Sequence, residues 1–159
     1  MNNNAIFDIR TADDFLIQAL RIFKFQYTNN TVYKAFCSFL NVDSNTVHTL
    51  EQIPFLPIEF FKSKNVLSST DATEITFTSS GTTGSETSKH HVTDLSLYEK
   101  SYLKAFSHFY GDIEDYCVLA LLPSYLERTG SSLIYMADDL IKKSNHPKSG
   151  FFLNEYEEL

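Results

Sequence analysis

The chain has 159 residues, of which 43% are hydrophobic and 21% charged, and its formal net charge at pH 7 is −7. This is the size of one domain, or of one domain and a small piece, and the ordinary composition excludes wholesale disorder. No stretch is basic enough to follow a phosphate backbone, which argues against nucleic acid as the main partner.

No segment is apolar over a length that spans a bilayer, since the longest aliphatic or cysteine run is Cys117 to Leu122. The N-terminal Met-Asn-Asn-Asn lacks the basic and apolar regions of a targeting peptide. Cys37 and Cys117 have apolar neighbours and no metal-ligand spacing, a pattern typical of buried thiols in a reducing compartment. We therefore expect a cytoplasmic protein with no membrane span and no metal centre.

Residues 1–70 are predicted to begin with two helices. Thr11 precedes two acidic residues, which is typical of a helix N-cap and first turn, and apolar residues then recur at helical spacing. Asn29 and Asn30 interrupt this pattern. The apolar face of the second, shorter helix is formed by Val32, Ala35, Phe36, Phe39 and Leu40.

The helices are followed by the apolar segment 53–62, which reads IPFLPIEFFK. Pro54 and Pro57 favour an extended backbone before them, and Pro57 can open a short helix. We interpret the segment as a hydrophobic clamp that ties the N-terminal helices to the sheet that follows.

Residues 71–159 alternate between strand and helix patterns, which predicts an α/β fold with a mostly parallel βαβαβ sheet and right-handed crossovers. The apolar run after Tyr116 is typical of a strand buried on both faces. The pattern stops at Leu159 soon after its third strand, so we expect the N-terminal part of a longer enzyme. The predicted elements are a strand over 74–78, a helix capped by Thr93 and ended by Gly111, a strand over 116–122, a helix over 133–141 and a strand over 150–153.

A segment of serine, threonine and glycine follows the first of these strands. Ten of the eleven residues from Thr78 to Ser88 are of these three types, and Lys89 comes next. Such a composition is typical of a flexible linker, but glycine N–H groups and hydroxyls can also surround a phosphate. The spacing fits neither a Walker A loop nor a dinucleotide fingerprint, so both interpretations remain open on spacing alone.

Three stretches of the chain resemble the acyl-protein synthetase (LuxE-type) family, within the adenylate-forming superfamily of acyl- and aryl-CoA synthetases. They are PFLPIEFFK at 54–62, FTSSGTTG at 77–84 with Ser88, Lys89 and His90, and LPSYLER at 122–128 with Ser131, Ser132 and Leu133. The resemblance implies the first half of an adenylate-forming enzyme, with 71–159 an incomplete nucleotide-binding portion. The residues that it implies for ATP phosphates are Thr78, Ser79, Ser80, Gly81, Thr82, Thr83, Gly84 and Lys89.

The resemblance implies ATP-dependent activation of a fatty acid as acyl-AMP, with Mg²⁺ accompanying ATP, and transfer to a protein thiol. An acyl-donor or acyl-acceptor protein, a reductase or transferase, is then the implied partner. The common superfamily signature places proline and lysine soon after the second glycine, whereas here residues 85–88 intervene before Lys89 and there is no proline, which favours the LuxE-type branch. The superfamily's ribose-binding acid and catalytic lysine have no counterpart in this chain, and neither does the family's acyl-accepting cysteine, so we expect the 159-residue chain alone to be inactive. An acyl- or aryl-CoA ligase, or a non-catalytic nucleotide- or acyl-binding module, is the alternative.

Two further groups are candidates for a pocket or a metal site. Tyr125, Glu127 and Arg128 follow the C-terminal end of a predicted strand, where open α/β sheets bind ligands, so they either line a nucleotide or acyl pocket or form a solvated loop. His90 and His91 are adjacent on a strand pattern and should point to opposite faces, which argues against a metal pair. Paired charges at helical spacing predict exposed ion pairs of Asp138 and Asp139 with Lys142 and Lys143.

Overall fold

A computed structural model describes residues 3–79, 87–123 and 130–153. Contacts divide these residues into two units. The first contains residues 3–76 and 87–93, and the second contains residues 77–79, 94–123 and 130–153. Within these described ranges, no helix has the length and apolar character needed to cross a membrane.

The first unit is mainly helical, as the sequence predicts. A capping box begins the first helix: the Thr11 hydroxyl accepts a hydrogen bond from the Asp14 N–H at 3.1 Å, and the Asp14 carboxylate accepts one from the Thr11 N–H at 3.0 Å. The helical elements are a 3₁₀ helix at Asn3–Asp8, α1 at Ala12–Asn29, α2 at Thr31–Phe39, a 3₁₀ turn at Leu50–Gln52 and α3 at Phe60–Ser63.

Asn30 lies between α1 and α2 and caps both, as the C-cap residue of α1 and the N-cap residue of α2. Its N–H donates to the Gln26 carbonyl at 2.8 Å, and its side-chain oxygen accepts from the Tyr33 N–H at 3.0 Å. The side-chain amide also donates to the Ser68 hydroxyl at 3.2 Å. The predicted interruption at Asn29 and Asn30 is confirmed.

The core of the first unit lies between α1, α2 and the segment after them. Tyr33 is buried, and its hydroxyl donates to the Pro54 carbonyl at 2.6 Å. Ile53 and Leu56 pack against this core, whereas Phe55 is 84% exposed. The proline-containing segment therefore packs on the two helices. The buried members of the core are Phe23, Tyr33, Cys37 and Val47.

The first pair of strands is β1 at Ile75–Thr78 and β2 at Lys89–Val92. The N–H of Glu74, just before β1, donates to the carbonyl of Val92 at the end of β2, at 2.9 Å. The start of one strand thus lies beside the end of the other, so the two strands run antiparallel. The Phe61 ring stacks on the His90 ring of β2.

The second unit contains a strand–helix–strand arrangement with a parallel ladder. Its elements are α4 at Leu95–Tyr110, a 3₁₀ turn at Ile113–Asp115, β3 at Leu119–Ala120, α5 at Ser132–Ser144 and β4 at Gly150–Phe151. Leu119 pairs with Gly150 and Ala120 with Phe151. This part of the predicted α/β pattern is confirmed. Helix α4 is capped by Asp94 rather than Thr93, and Gly111 ends it with φ +91°.

Aromatic side chains from β1, α4 and α5 form the packing centre of the second unit. Phe77 lies 5.3 Å from Tyr98 and 5.8 Å from Tyr135, measured between ring centroids. The buried Tyr102 donates its hydroxyl to the Asp139 carboxylate at 2.6 Å. The apolar face of α5 is buried at Ile134, Ala137 and Leu140.

The prediction of one parallel sheet with three strands is wrong for the residues that the structure describes. Strand β1 pairs with β2, while β3 pairs with β4 in a separate two-stranded sheet. The predicted strand over 116–122 is reduced to Leu119–Ala120, where Leu119 is 46% exposed and Leu121 59%. A run of apolar residues is buried on both faces only where layers cover both faces, and here only Ala120 reaches the interior. Cys117 is accordingly exposed, contrary to the buried thiol that we predict.

Candidate functional site

Thr78, the last residue of β1, connects the start of the serine, threonine and glycine segment to the turn that precedes α5. Its N–H donates to the carbonyl of Gly130 at 2.8 Å, while the residue itself stays exposed. Gly130 immediately precedes Ser131, the N-cap of α5, whose hydroxyl accepts from the Ile134 N–H at 3.4 Å. The start of the serine, threonine and glycine segment therefore lies beside the start of α5.

Gly130 is a site residue that the sequence analysis missed. It has φ +83°, a backbone region that favours glycine, and this turn presents its carbonyl to β1. The signal in the sequence is a glycine directly before the capping serine of a predicted helix. That signal indicates a turn, but it does not say which strand the turn contacts.

The predicted phosphate-binding residues that the structure describes are Thr78, Ser79 and Lys89, and all three are exposed. Thr78 and Ser79 belong to the second unit, and Lys89 is the first residue of β2 in the first unit. The other predicted site residues lie outside the described ranges. They are Ser80, Gly81, Thr82, Thr83 and Gly84 of the predicted loop, and Tyr125, Glu127 and Arg128 of the predicted pocket.

The functional groups of the described site residues suit an anion. Hydroxyls and an ammonium group donate hydrogen bonds to phosphate oxygens, and none of Thr78, Ser79 and Lys89 carries the carboxylate that Mg²⁺ prefers. In the ranges that the structure describes, no cluster of three or more His, Cys, Asp or Glu side chains could hold a metal ion.

The two histidines of β2 make separate contacts, as their alternation on a strand predicts. The Nδ1 atom of His91 lies 2.9 Å from the Thr76 hydroxyl, and His91 is half-buried. His90 is the more exposed of the two, but one face of its ring stacks on Phe61 at 5.8 Å between centroids. Partial burial lowers the pKa of His90, and the neighbouring His91 charge lowers it further.

A concave surface lies within the first unit, between α2 and the α3 region. It is an open apolar groove of about 500 Å³. The Phe36 and Phe60 rings meet in it at 5.8 Å, Phe39 is 84% exposed, and Lys64 supplies a positive charge. The sequence analysis assigned Phe36, Phe39 and Phe60 to packing and made no prediction for Lys64, because a helical apolar pattern does not distinguish a covered face from an open groove.

Comparison with protein-family models matches residues 9–117 to the family described as acyl-protein synthetase, LuxE. The matched region is more than half of the chain and includes β1, Lys89, α4 and the groove between α2 and α3. A search of curated proteins found no match to this chain. A search of solved structures found none either. The chain belongs to the LuxE acyl-protein synthetase family.

Proposed function

We propose that this chain contributes the phosphate-binding part of an acyl-protein synthetase that activates a fatty acid with ATP and passes the acyl group to a protein thiol. Family membership supports an acyl-protein synthetase. The observation that carries the site is the hydrogen bond from Thr78 to Gly130, because it holds the start of the serine, threonine and glycine segment beside the turn that precedes α5.

In the proposed reaction, a carboxylate oxygen of the fatty acid attacks the α-phosphorus of ATP. The bond from that phosphorus to the bridging oxygen of the β-phosphate breaks, which gives acyl-AMP and pyrophosphate. A protein thiolate then attacks the acyl carbonyl and AMP leaves. The enzyme's task is to align the carboxylate with the α-phosphate and to stabilise charge on phosphate oxygens.

The residues of this chain would serve the second task. The N–H of Thr78 fixes the backbone at this strand end through its bond to Gly130, and the Thr78 hydroxyl also donates to the Gly130 carbonyl, at 3.5 Å, a long contact that a phosphate oxygen would replace. Lys89 would act as a point charge on phosphate oxygens. Mg²⁺ bound to the triphosphate would supply further charge neutralisation.

The primary test is titration calorimetry of this chain with ATP in the presence of Mg²⁺. Thr78→Val keeps the β-branched shape but removes the hydroxyl, and Lys89→Ala removes the charge. Each should weaken ATP binding by roughly three- to thirtyfold, the loss of one hydrogen bond or charge contact. Lys24→Ala, which removes an exposed lysine of α1, is the matched control and should leave affinity unchanged.

A second measurement is fatty-acid-dependent exchange of pyrophosphate into ATP, with the protein expressed from its entire open reading frame. Gly81→Ala and Thr82→Ala should abolish exchange, since the resemblance assigns both residues to the phosphate loop. Wild-type exchange in both variants would contradict the assignment. Acyl transfer to coenzyme A rather than to a protein would favour the ligase alternative, and ATP binding without exchange would favour the non-catalytic module.

A further inference from the structure

Strand β2 contacts a different neighbour with each of its two histidines. The Nδ1 atom of His91 lies 2.9 Å from the Thr76 hydroxyl of β1, and the His90 ring stacks on the Phe61 ring of α3. The two stacked rings are nearly parallel, with an interplanar angle of 13° and centroids 5.8 Å apart, a distance at which aromatic rings attract each other. All four residues belong to the first unit, so both contacts lie within one compact body.

The stack matters for β2 because the sheet that contains this strand is small. Strands β1 and β2 have four residues each, and among the residues that the structure describes they pair only with each other. A two-stranded sheet has little stability of its own and depends on packing against another element. Phe61 supplies such packing at His90, the second residue of β2.

Lys89, to which we assign a phosphate contact, directly precedes His90 and is exposed. Across residues 3–79, 87–123 and 130–153, its ammonium group makes neither an ion pair nor a side-chain hydrogen bond. Side chains alternate along a strand, which places Lys89 on the face of β2 opposite to the one where His90 meets Phe61. The position of the ammonium group is therefore set by the backbone of β2 rather than by contacts of its own.

We propose that Phe61 is a positioning residue for the phosphate contact of Lys89, because its ring fixes His90 and with it the β2 backbone that carries the ammonium group. The inference rests on the proposed function, since it requires that Lys89 contacts ATP. In this role Phe61 does not touch the nucleotide. A flexible lysine binds an anion more tightly when its backbone is already fixed, because less conformational freedom is lost on binding.

The test is titration calorimetry of this chain with ATP and Mg²⁺. Phe61→Leu keeps an apolar side chain but removes the ring, and it should weaken ATP binding roughly two- to tenfold, the range that corresponds to the loss of one aromatic pair. Its effect should not exceed that of Lys89→Ala. Phe60→Leu is the matched control and should leave affinity unchanged, since Phe60 is half-buried like Phe61 but its ring meets Phe36 of α2, also at 5.8 Å.

Two comparisons separate positioning from general destabilisation. If Phe61 acts through Lys89, Phe61→Leu should have no further effect on ATP affinity once Lys89 is replaced by alanine, whereas a loosened fold would weaken binding by the same factor in both backgrounds. His90→Phe keeps two stacked rings and should retain the affinity of the parent chain, while His90→Ala should weaken binding as much as Phe61→Leu does.

Several outcomes would overturn the proposal. Unchanged ATP affinity in Phe61→Leu, beside weakened binding in Lys89→Ala, would remove the positioning role and leave the proposed function intact. Unchanged affinity in Lys89→Ala, or no ATP binding by the parent chain, would contradict the phosphate role of Lys89 and the positioning role with it. Equal weakening by Phe60→Leu and Phe61→Leu would mean that only the stability of α3 matters.

Loss of binding in His90→Phe would also overturn the proposal, because it would assign the imidazole a contact with ATP itself. Far-UV circular dichroism of each variant checks that the fold is retained. Should Phe61→Leu fail to fold, the comparison of His90→Phe with His90→Ala still decides, since only the second of these variants loses the stack.

Discussion

At the scale of single residues, the two cysteines have different environments despite similar sequence neighbourhoods. Cys37 is fully buried in the first unit, and Cys117 is exposed. Burial raises the pKa of the Cys37 thiol, although the Tyr33 hydroxyl partly offsets this shift. The reactive thiolate of Cys37 is therefore both scarce and inaccessible in the folded protein.

We predict that Ellman's reagent reacts with one thiol of the native protein, that of Cys117. Cys37 should react on the order of a hundredfold more slowly, the factor for a local opening that costs about 3 kcal/mol. Cys117→Ser should remove the fast phase, and urea should restore reaction of the remaining thiol. Two equally fast phases in native protein would show that the core around Cys37 opens readily.

His90 provides a pH-dependent test of the contact between α3 and β2. Its pKa is lowered from the ordinary 6.5 by partial burial against Phe61 and then by His91. As pH falls below 6.5, the unfolded chain takes up this proton before the folded chain does. The contribution of His90 to stability is thus intact above pH 6.5 and declines as pH falls below it.

The measurement is an NMR titration of the histidine ring protons, with His90→Gln used for assignment. We expect the His90 midpoint below pH 6.5 and a shift back towards 6.5 in Phe61→Leu, which loses the ring that covers the imidazole. Phe15→Leu changes an exposed phenylalanine of α1 and should leave the midpoint where it was. A wild-type midpoint at or above 6.5 would contradict the contact.

At the scale of elements, the helices were predictable and the strand pairing was not. Thr11, Asn30 and Gly111 act locally, through hydrogen bonds or backbone angles within a few residues, so the sequence near each helix end is sufficient. Strand partners are set by contacts between distant segments. Strand β2 contains Lys89 and two histidines, which gives a weak strand pattern, yet it is β2 that pairs with β1.

The candidate site, like the strand pairing, could be predicted only where it depends on neighbouring residues in the sequence. The position of Thr78 at a strand end and of Lys89 just beyond the polar segment could be predicted, because both follow from local pattern. The contact of Thr78 with Gly130 could not, since it joins residues 52 positions apart. The groove at Phe39 and Lys64 escaped prediction because exposure depends on what packs above a helix face.

Two neighbouring aspartates of α5 differ in one contact. Both form an ion pair with a lysine one turn later, but Asp139 also accepts a hydrogen bond from a buried tyrosine. Asp138 pairs with Lys142 and Asp139 with Lys143, as predicted, at 2.5 Å and 2.7 Å between nitrogen and oxygen. Only Asp139 also accepts from the Tyr102 hydroxyl, which is 7% exposed. Burial, and then the Asp139 carboxylate, raise the pKa of Tyr102, so its proton stays in this bond.

Asp139→Ala should therefore lower the free energy of unfolding by about 1–3 kcal/mol, because a buried hydroxyl loses its acceptor. Asp138→Ala removes an equivalent exposed ion pair and should change it by about 0.5 kcal/mol or less. Urea denaturation of the two variants under the same conditions makes the comparison. Equal effects of the two substitutions would show that Tyr102 finds another partner.

At the scale of the whole molecule, net charge and exposed apolar side chains act against each other. Phe55 in the first unit is 84% exposed and Phe109 in the second is 75% exposed. Such side chains favour association, whereas the net charge of −7 at pH 7 favours repulsion between copies. Which tendency prevails should depend on pH and salt.

We predict that light scattering shows monomers at pH 7.5 in low salt and association as the pH approaches the isoelectric point of about 5.1. Added salt at pH 7.5 should move the protein part of the way towards association, because it screens the repulsion but leaves the apolar contacts. Replacing Phe55 and Phe109 together by serine should reduce association at pH 5.1 without changing the net charge. If the double variant associates as strongly as the parent chain at pH 5.1, the side chains of Phe55 and Phe109 do not mediate the contact.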